Sequence, residues 1–401
     1  MERATHYLSY ILILLLSLIF LYIGSRLAGS IPYGEGHNYY RAHVINIFDR
    51  IDMDIYGFLS TEIHFNARIT SRERRGDLVR ATQHVSDGFL VRVREVEPGH
   101  NIILASVGEM YFFGNYQRIN FIAILGGVFL FLIIAFGRLK GFNAIVSLGF
   151  ICAAVFFVFI PAVLNGRNIY ILTIIICLYV ILSTLLIAIG PNKKALSAIV
   201  GCLLGVAAAC GLMFLMDFVL HLTGAINYET ISLLRPENPI DIGALVFAGV
   251  IIGAMGAIMS IAISVSSSLW EIREFEEYIS FSNIFILGMN IGKDILGTMI
   301  NTLVLAYIGG SLSFILFLMM QTTSNIELLN MEIIIVEFLR AIIGGLGMFA
   351  AIPLTSVICG FLYAKKMPPG EQEEQDYFDD YFTPERLQTI QDIELPEENL
   401  Q

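Results

Sequence analysis

The chain has 401 residues, 56% hydrophobic and 15% charged, with a mean hydropathy of +0.73. Soluble domains carry roughly 25% charged residues, and the apolar excess here is gathered into uninterrupted runs, which excludes an ordinary soluble protein. The net charge of -11 comes largely from the C-terminal end and gives no reason to expect a nucleic-acid partner.

The first apolar run, Tyr7–Ile23, lies between Arg3 and Arg26. It is long for the core of a signal peptide, so residues 1–26 are expected to be an uncleaved N-terminal membrane anchor. Residues 27–120 have soluble composition. "AHVINIF", "EIHFNARIT", "FLVRVREV" and "NIILASV" alternate or are β-branched, with breaks at "RRGD", "SDG" and "EPGH". That pattern predicts a small extracytoplasmic β-rich domain, a compact barrel or sandwich.

Seven further runs follow, near 121–136, 142–163, 169–189, 196–222, 242–269, 296–320 and 341–363. Each approaches the roughly 20 residues that cross a bilayer core. With the anchor they predict an α-helical polytopic membrane protein of about eight transmembrane helices, seven of them within 121–366. Basic residues decide the orientation. With the N-terminus inside, the inner segments carry Arg3, Arg138, Lys140, Lys193, Lys194, Arg273, Lys293, Lys365 and Lys366, and the outer short loops and helix ends only Arg167, Arg235 and Arg340. Both termini are therefore expected in the cytoplasm. Residues 367–401 form an acidic, proline-punctuated tail, with "DYFDDYF" as a candidate docking motif. All five cysteines lie inside apolar runs, which argues against a disulfide or a metal site. No cofactor is expected.

The run 242–269 is thin on one side. Gly249, Gly253, Gly256, Ser260, Ser264 and Ser267 recur at steps of three and four, so they share one helical face over roughly 27 Å. Two readings stand side by side. Such a face lets a second helix approach closely, or its hydroxyl half lines a polar pathway. The run 296–320 repeats the pattern with Thr298, Asn301 and Thr302. An amide inside the membrane needs a partner, and the neighbouring serines are the expected one. Lys293 and Asp294 would mark an inner mouth. The stretch between, "EIREFEEYISFSNIFILGMNIGKD", is too mixed to span and is expected to be interfacial or re-entrant.

Other ionisable residues are fewer. Asp217 and His221, four apart, form a candidate ionisable pair. Glu337 and Arg340 are expected to cap the outer end of the last helix, with Gly344, Gly345 and Gly347 allowing close packing beyond them. Pro161 and Pro353 are expected to bend their helices. No H-E-x-x-H, G-x-S-x-G or Walker A pattern occurs, so no enzymatic activity is expected.

Two blocks, "ENPIDIGALVFAGVIIGAMGAIMSIAISVSSSLWEI" and "GKDILGTMINTLVLAYIGGSL", resemble the YibE/F-like family of bacterial multi-pass membrane proteins. The plan of anchor, small exported domain ending in "YQR" and helical bundle is similar too. The resemblance implies a bacterial cytoplasmic membrane location and an architecture, not an activity. In that family an aspartate commonly stands where this chain has Ser260, so ion or proton coupling through that position does not carry over. Taken together, these features lead to the expectation of a permease-like protein acting on an unidentified small substrate, in the lipid bilayer, with a second membrane subunit or as a homo-oligomer. The rival expectation is a non-transporting scaffold or partner-binding subunit of an envelope complex.

Overall fold

The computed structural model describes residues 2–29, 38–55, 58–71, 74–86, 94–224, 234–235, 238–276, 278–321 and 324–365. The acidic tail with "DYFDDYF", Lys366 and most of "FLVRVREV" lie outside them. The chain divides into two compact units, one of residues 1–31 with 143–401 and one of residues 32–142.

The smaller unit contains a closed barrel of five strands: β1 (Asn38–Ile55), β2 (Phe58–Ile69), β3 (Leu78–Ser86), β4 (Asn101–Val107) and β5 (Met110–Tyr116), in the order β1-β2-β3-β5-β4. That order is the one found in OB-type barrels. Closure rests on β1, whose first residues pair antiparallel with β4 (Asn38↔Ser106 to His43↔Asn101) while the rest pairs with β2 (Ala42↔Ile69 to Ile55↔Phe58). Two register shifts, at Val44/Asn46 and Ile47/Asp49, give β1 the bend that serving both edges demands. Inward residues alternate as the sequence pattern requires: Val44, Ile63, Phe65, Ala67, Ile69, Ala81, Ile102 and Leu104 are all buried. Gln83 breaks the apolar rule and is satisfied within the fold. Its Nε2 donates to the Arg94 carbonyl at 3.0 Å and its Oε1 accepts from Val96 N at 2.8 Å. Arg94–Val96, the described end of the third predicted strand, lie outside any strand.

The helices are α1 (Glu2–Ala28), α2 (Ile119–Ala153), a π-helical turn (Ala154–Phe159), α3 (Ile160–Leu164), α4 (Ile169–Ile189), α5 (Lys193–Leu220), α6 (Ile242–Phe275), α7 (Phe281–Gln321), α8 (Asn325–Asn330) and α9 (Glu332–Tyr363). Among the described residues seven helical stretches are long and apolar enough to cross a membrane, one fewer than expected. The two runs 121–136 and 142–163 are joined into one stretch, 119–164. The connecting "GRLKG" interrupts it only at Arg138, which alone takes non-helical angles (φ 49°, ψ -126°). Asparagine and aspartate side chains begin three of the other helices by accepting a backbone N–H: Asn168 from Ile171, Asn192 from Ala195, and Asp241 from Ala244, the usual chemistry at an N-cap.

The stretch 271–294 also departs from expectation. α6 continues to Phe275, and α7 is one unbroken helix of 41 residues from Phe281, roughly 60 Å long and about twice the hydrocarbon depth. Gly288 and Gly292 do not break it. A Cβ on Gly288 would strike Ser356 and Leu269, and one on Gly292 would strike Ile352. These glycines let α7 lie directly on α9.

The bundle core is built the same way throughout. Ile258 of α6 is fully buried and wedges between two glycines: a Cβ on Gly205 (α5) would come within 2.8 Å of it, and one on Gly347 (α9) would also press on it. Gly201 meets Thr355, and Gly344 meets Leu303 and Ala254. Small residues on α5, α7 and α9 thus make holes for large side chains, as close packing in membranes favours.

Candidate functional site

The six-residue stripe of α6 lies opposite that core. Ala254, Ile258, Ile261, Ala262 and Val265 are buried, whereas Gly249 and Gly256 are exposed and Gly253, Ser260, Ser264 and Ser267 half-buried. A Cβ added at Gly256 would meet nothing within 4 Å. The tight seam therefore runs along the opposite face of the same helix. Ser260 and Ser264 turn their hydroxyls back onto their own helix, donating to the Gly256 and Ser260 carbonyls at 3.0 and 2.9 Å.

On α7, Thr298, Asn301 and Thr302 are exposed. The two threonines also back-bond, to the Ile295 and Thr298 carbonyls. The expected pairing of Asn301 with the α6 serines is absent: among the described residues its amide has no hydrogen-bond partner. The reason is geometric. α7 is held to α9 through Gly288 and Gly292, and its later half leaves these polar residues uncovered. Lys293 and Asp294 are exposed and not ion-paired among the described residues. Asp217 and His221 do not pair either. His221 ends α5 in a left-handed conformation (φ 52°), which takes it off the helical spacing on which an i, i+4 contact depends.

The outer half of the stripe meets a polar group that periodicity did not single out. The Tyr307 hydroxyl of α7 covers Gly253, filling the place of a side chain, and the Arg340 guanidinium of α9 stands 3.7 Å from the Cβ position of Gly249. Arg340 Nη1 donates to Glu337 Oε1 at 2.6 Å, both side chains being largely shielded. Glu337 Oε2 is enclosed with no hydrogen-bond partner. The pair is thus not a solvent-facing cap but sits a turn and a half inside α9, against the glycine half of the stripe. Its signal in the sequence was a charged i, i+3 pair inside an apolar run, with Tyr307 the one aromatic residue in 296–313. An enclosed carboxylate oxygen with a free lone pair can accept a proton or a hydrogen-bond donor.

A second polar cluster is purely internal. Ser197 (α5), Ser266 (α6) and Tyr363 (α9) are buried together. Both serines donate to the Lys194 carbonyl, at 3.0 and 2.9 Å, and the Tyr363 hydroxyl lies 2.5 Å from Ser197 and 3.0 Å from Ser266. Every hydroxyl has a partner, so the cluster ties three helices and offers nothing to a ligand. Nearby, Trp270 stands edge-on to Tyr363 and donates to Glu274 at 2.6 Å.

Long apolar helices packed around glycine holes, with a separate small β-barrel, define a membrane-embedded multi-helix protein. The family model for YibE/F-like proteins matches residues 125–365, more than half of the chain, and the chain belongs to that family. Comparison with curated proteins and with solved structures found no match.

Proposed function

We propose that this is a permease-like protein in which a polar pathway runs between α6 and α7. The observation that carries the reading is Asn301. Its amide is exposed on a membrane-length helix without a hydrogen-bond partner among the described residues, and an unsatisfied amide facing hydrocarbon costs several kcal/mol, on the order of 4 or more. Water beside the open hydroxyl face of α6 removes that cost. Ser260, Ser264, Ser267, Thr298, Asn301 and Thr302 then line the inner part, with Lys293 and Asp294 at its inner mouth. Gly249 and Gly253, beneath Arg340 and Tyr307, form the narrow outer part, where the free oxygen of Glu337 selects for donors or cations. The substrate is a small polar molecule, and the reading includes no catalytic step and no cofactor.

The distribution of Lys and Arg supports cytoplasmic termini in a bacterial cytoplasmic membrane, with Arg138 dividing 119–164 into two crossings. The barrel then lies outside, placed to receive a substrate or an envelope partner. The face of α7 that carries Asn301 continues as Leu305, Ile308, Leu312 and Leu316, all exposed, at steps of three and four; this favours a second reading, in which another membrane subunit or a second copy covers the face and the chain acts as a scaffold.

Single cysteines at 260, 264 and 301, with lipid-facing controls at 174 and 178 on α4, where Ile174 and Leu178 are exposed, separate the two. In membranes, a water-soluble thiol reagent should modify the first three and spare the controls. Protection of all five would sink the pathway. Asn301→Leu and Ser264→Leu proteins that fold and support growth like the parent would do the same.

A further inference from the structure

The membrane unit has a crevice of about 550 Å³ between α1, the π-turn with α3, and α4, inside the range of roughly 300–1,000 Å³ typical of small-molecule sites. Its walls are apolar: Phe20, Ile23 and Leu27 on one side, Ile171, Leu172 and Ile175 on the other. Two features keep the slot open. Gly24 brings α1 so close to Val158 that a Cβ would come within 2.9 Å of its methyl groups. Val158 itself belongs to the π-helical turn, whose bonds span five residues (Ile160 N to Val155 O), a distortion frequent at functional sites.

One end of the slot is electropositive. Arg167 lines it, is exposed, and has no acidic partner among the described residues. Beside it Asn168 starts α4, whose N-terminal amides add positive potential. No acidic side chain lines the crevice. The same end is held in shape by Asn165, whose Nδ2 donates to the Ala28 and Pro161 carbonyls, each at 2.8 Å, locking the end of α1 to the turn before α4.

The geometry points to a binding site for an anionic phospholipid. One acyl chain occupies the slot between α1 and α4, and the phosphate sits on Arg167 at the start of α4. Charge selects this occupant: an apolar slot alone accepts any lipid tail, but a guanidinium at its mouth with no carboxylate lining the crevice favours a phosphate that carries net negative charge. The site shares no residue with the α6–α7 pathway, and its test does not depend on transport.

The full chain is reconstituted in nanodiscs of equal phosphatidylglycerol and phosphatidylcholine, and lipid retained after mild delipidation is measured by native mass spectrometry. The parent should retain phosphatidylglycerol in preference, by about five- to tenfold. Arg167→Gln should lose that preference yet still retain lipid, and Ile175→Trp, at an exposed position, should lose retained lipid altogether. Lys193→Gln is the charge control and should behave as the parent. Equal retention of the two lipids by the parent, or a preference unchanged in Arg167→Gln, overturns the proposal. If Ile175→Trp elutes as an aggregate, crosslinking by phosphatidylglycerol with a diazirine-bearing acyl chain decides instead. Label within 20–28 or 158–175 supports the site, and label elsewhere overturns it.

Discussion

The barrel and the helical unit solve the same problem with opposite side chains. The barrel fills its interior with large residues such as Ile63, Phe65, Ile69 and Leu104, because five tilted strands enclose a space that only big side chains occupy. The helical unit places its decisive contacts at residues with no side chain: Gly201, Gly205, Gly288, Gly292, Gly344 and Gly347. In water, burying apolar area stabilises a core. In lipid the tails are as apolar as leucine, so helices gain only from close fit and hydrogen bonds. Deleting bulk should therefore damage the barrel, and adding bulk should damage the bundle.

The sharpest test adds bulk in both regions of α6–α9 packing. Gly347→Leu, pressed against the fully buried Ile258 and against Ala209, should destabilise the helical unit by about 3 kcal/mol. Gly256→Leu, with open space around it, should leave melting in detergent nearly unchanged. Equal effects would break the contrast. The barrel counterpart removes bulk: Phe65→Ala should cost about 3–5 kcal/mol and abolish the cooperative thermal transition of the strand signal.

A smaller effect sharpens the polar side of the comparison. Ser266→Ala leaves Ser197 and Tyr363 buried with one partner fewer, and should lower stability by about 1–3 kcal/mol. Ser260→Ala, whose hydroxyl only back-bonds, should shift it by less than about 0.5 kcal/mol. Thermal unfolding followed through Trp270, the single tryptophan, reads both.

The smallest predicted effect is confined to the barrel. The Tyr116 hydroxyl donates to the Arg94 and Glu95 carbonyls at 2.9 and 2.7 Å, and burial raises its pKa above the usual 10.0, against the opposing pull of Arg94. The fold thus prefers the protonated phenol. Below pH 10 both folded and unfolded chains hold that proton. As pH rises past 10 the unfolded chain releases it first, and barrel stability falls through the folded pKa. Tyr116→Phe should flatten that part of the alkaline unfolding profile. An unchanged slope would mean that other groups set it.

Much of this fold was legible in the residues. The run 169–189 has the same bounds as α4, α6 begins at Ile242 as its apolar run does, and strand alternation marked the barrel interior. Runs of apolar residues and period-two alternation are local consequences of burial, so they survive in one dimension. The step of three and four also placed Gly249, Gly253, Gly256, Ser260, Ser264 and Ser267 on one face correctly. Periodicity cannot say whether such a face is covered. That depends on where the neighbouring helices lie: α5 and α9 pack on Ile258 and Ser266, away from the stripe, while Tyr307 of α7 and Arg340 of α9 reach only its outer glycines.

By itself the sequence determined a membrane-embedded chain with a small β-rich domain and a hydroxyl-bearing helix, because hydropathy and period are properties of neighbouring residues. Only the tertiary structure decided that Gly288 and Gly292 continue a helix instead of breaking it, and that Glu337, Arg340 and Tyr307 gather over the glycines of α6. It also decided that Arg167 stands at the mouth of an apolar slot. Those are contacts between residues from tens of positions to well over a hundred apart, set by how helices fit together, and no local pattern encodes them.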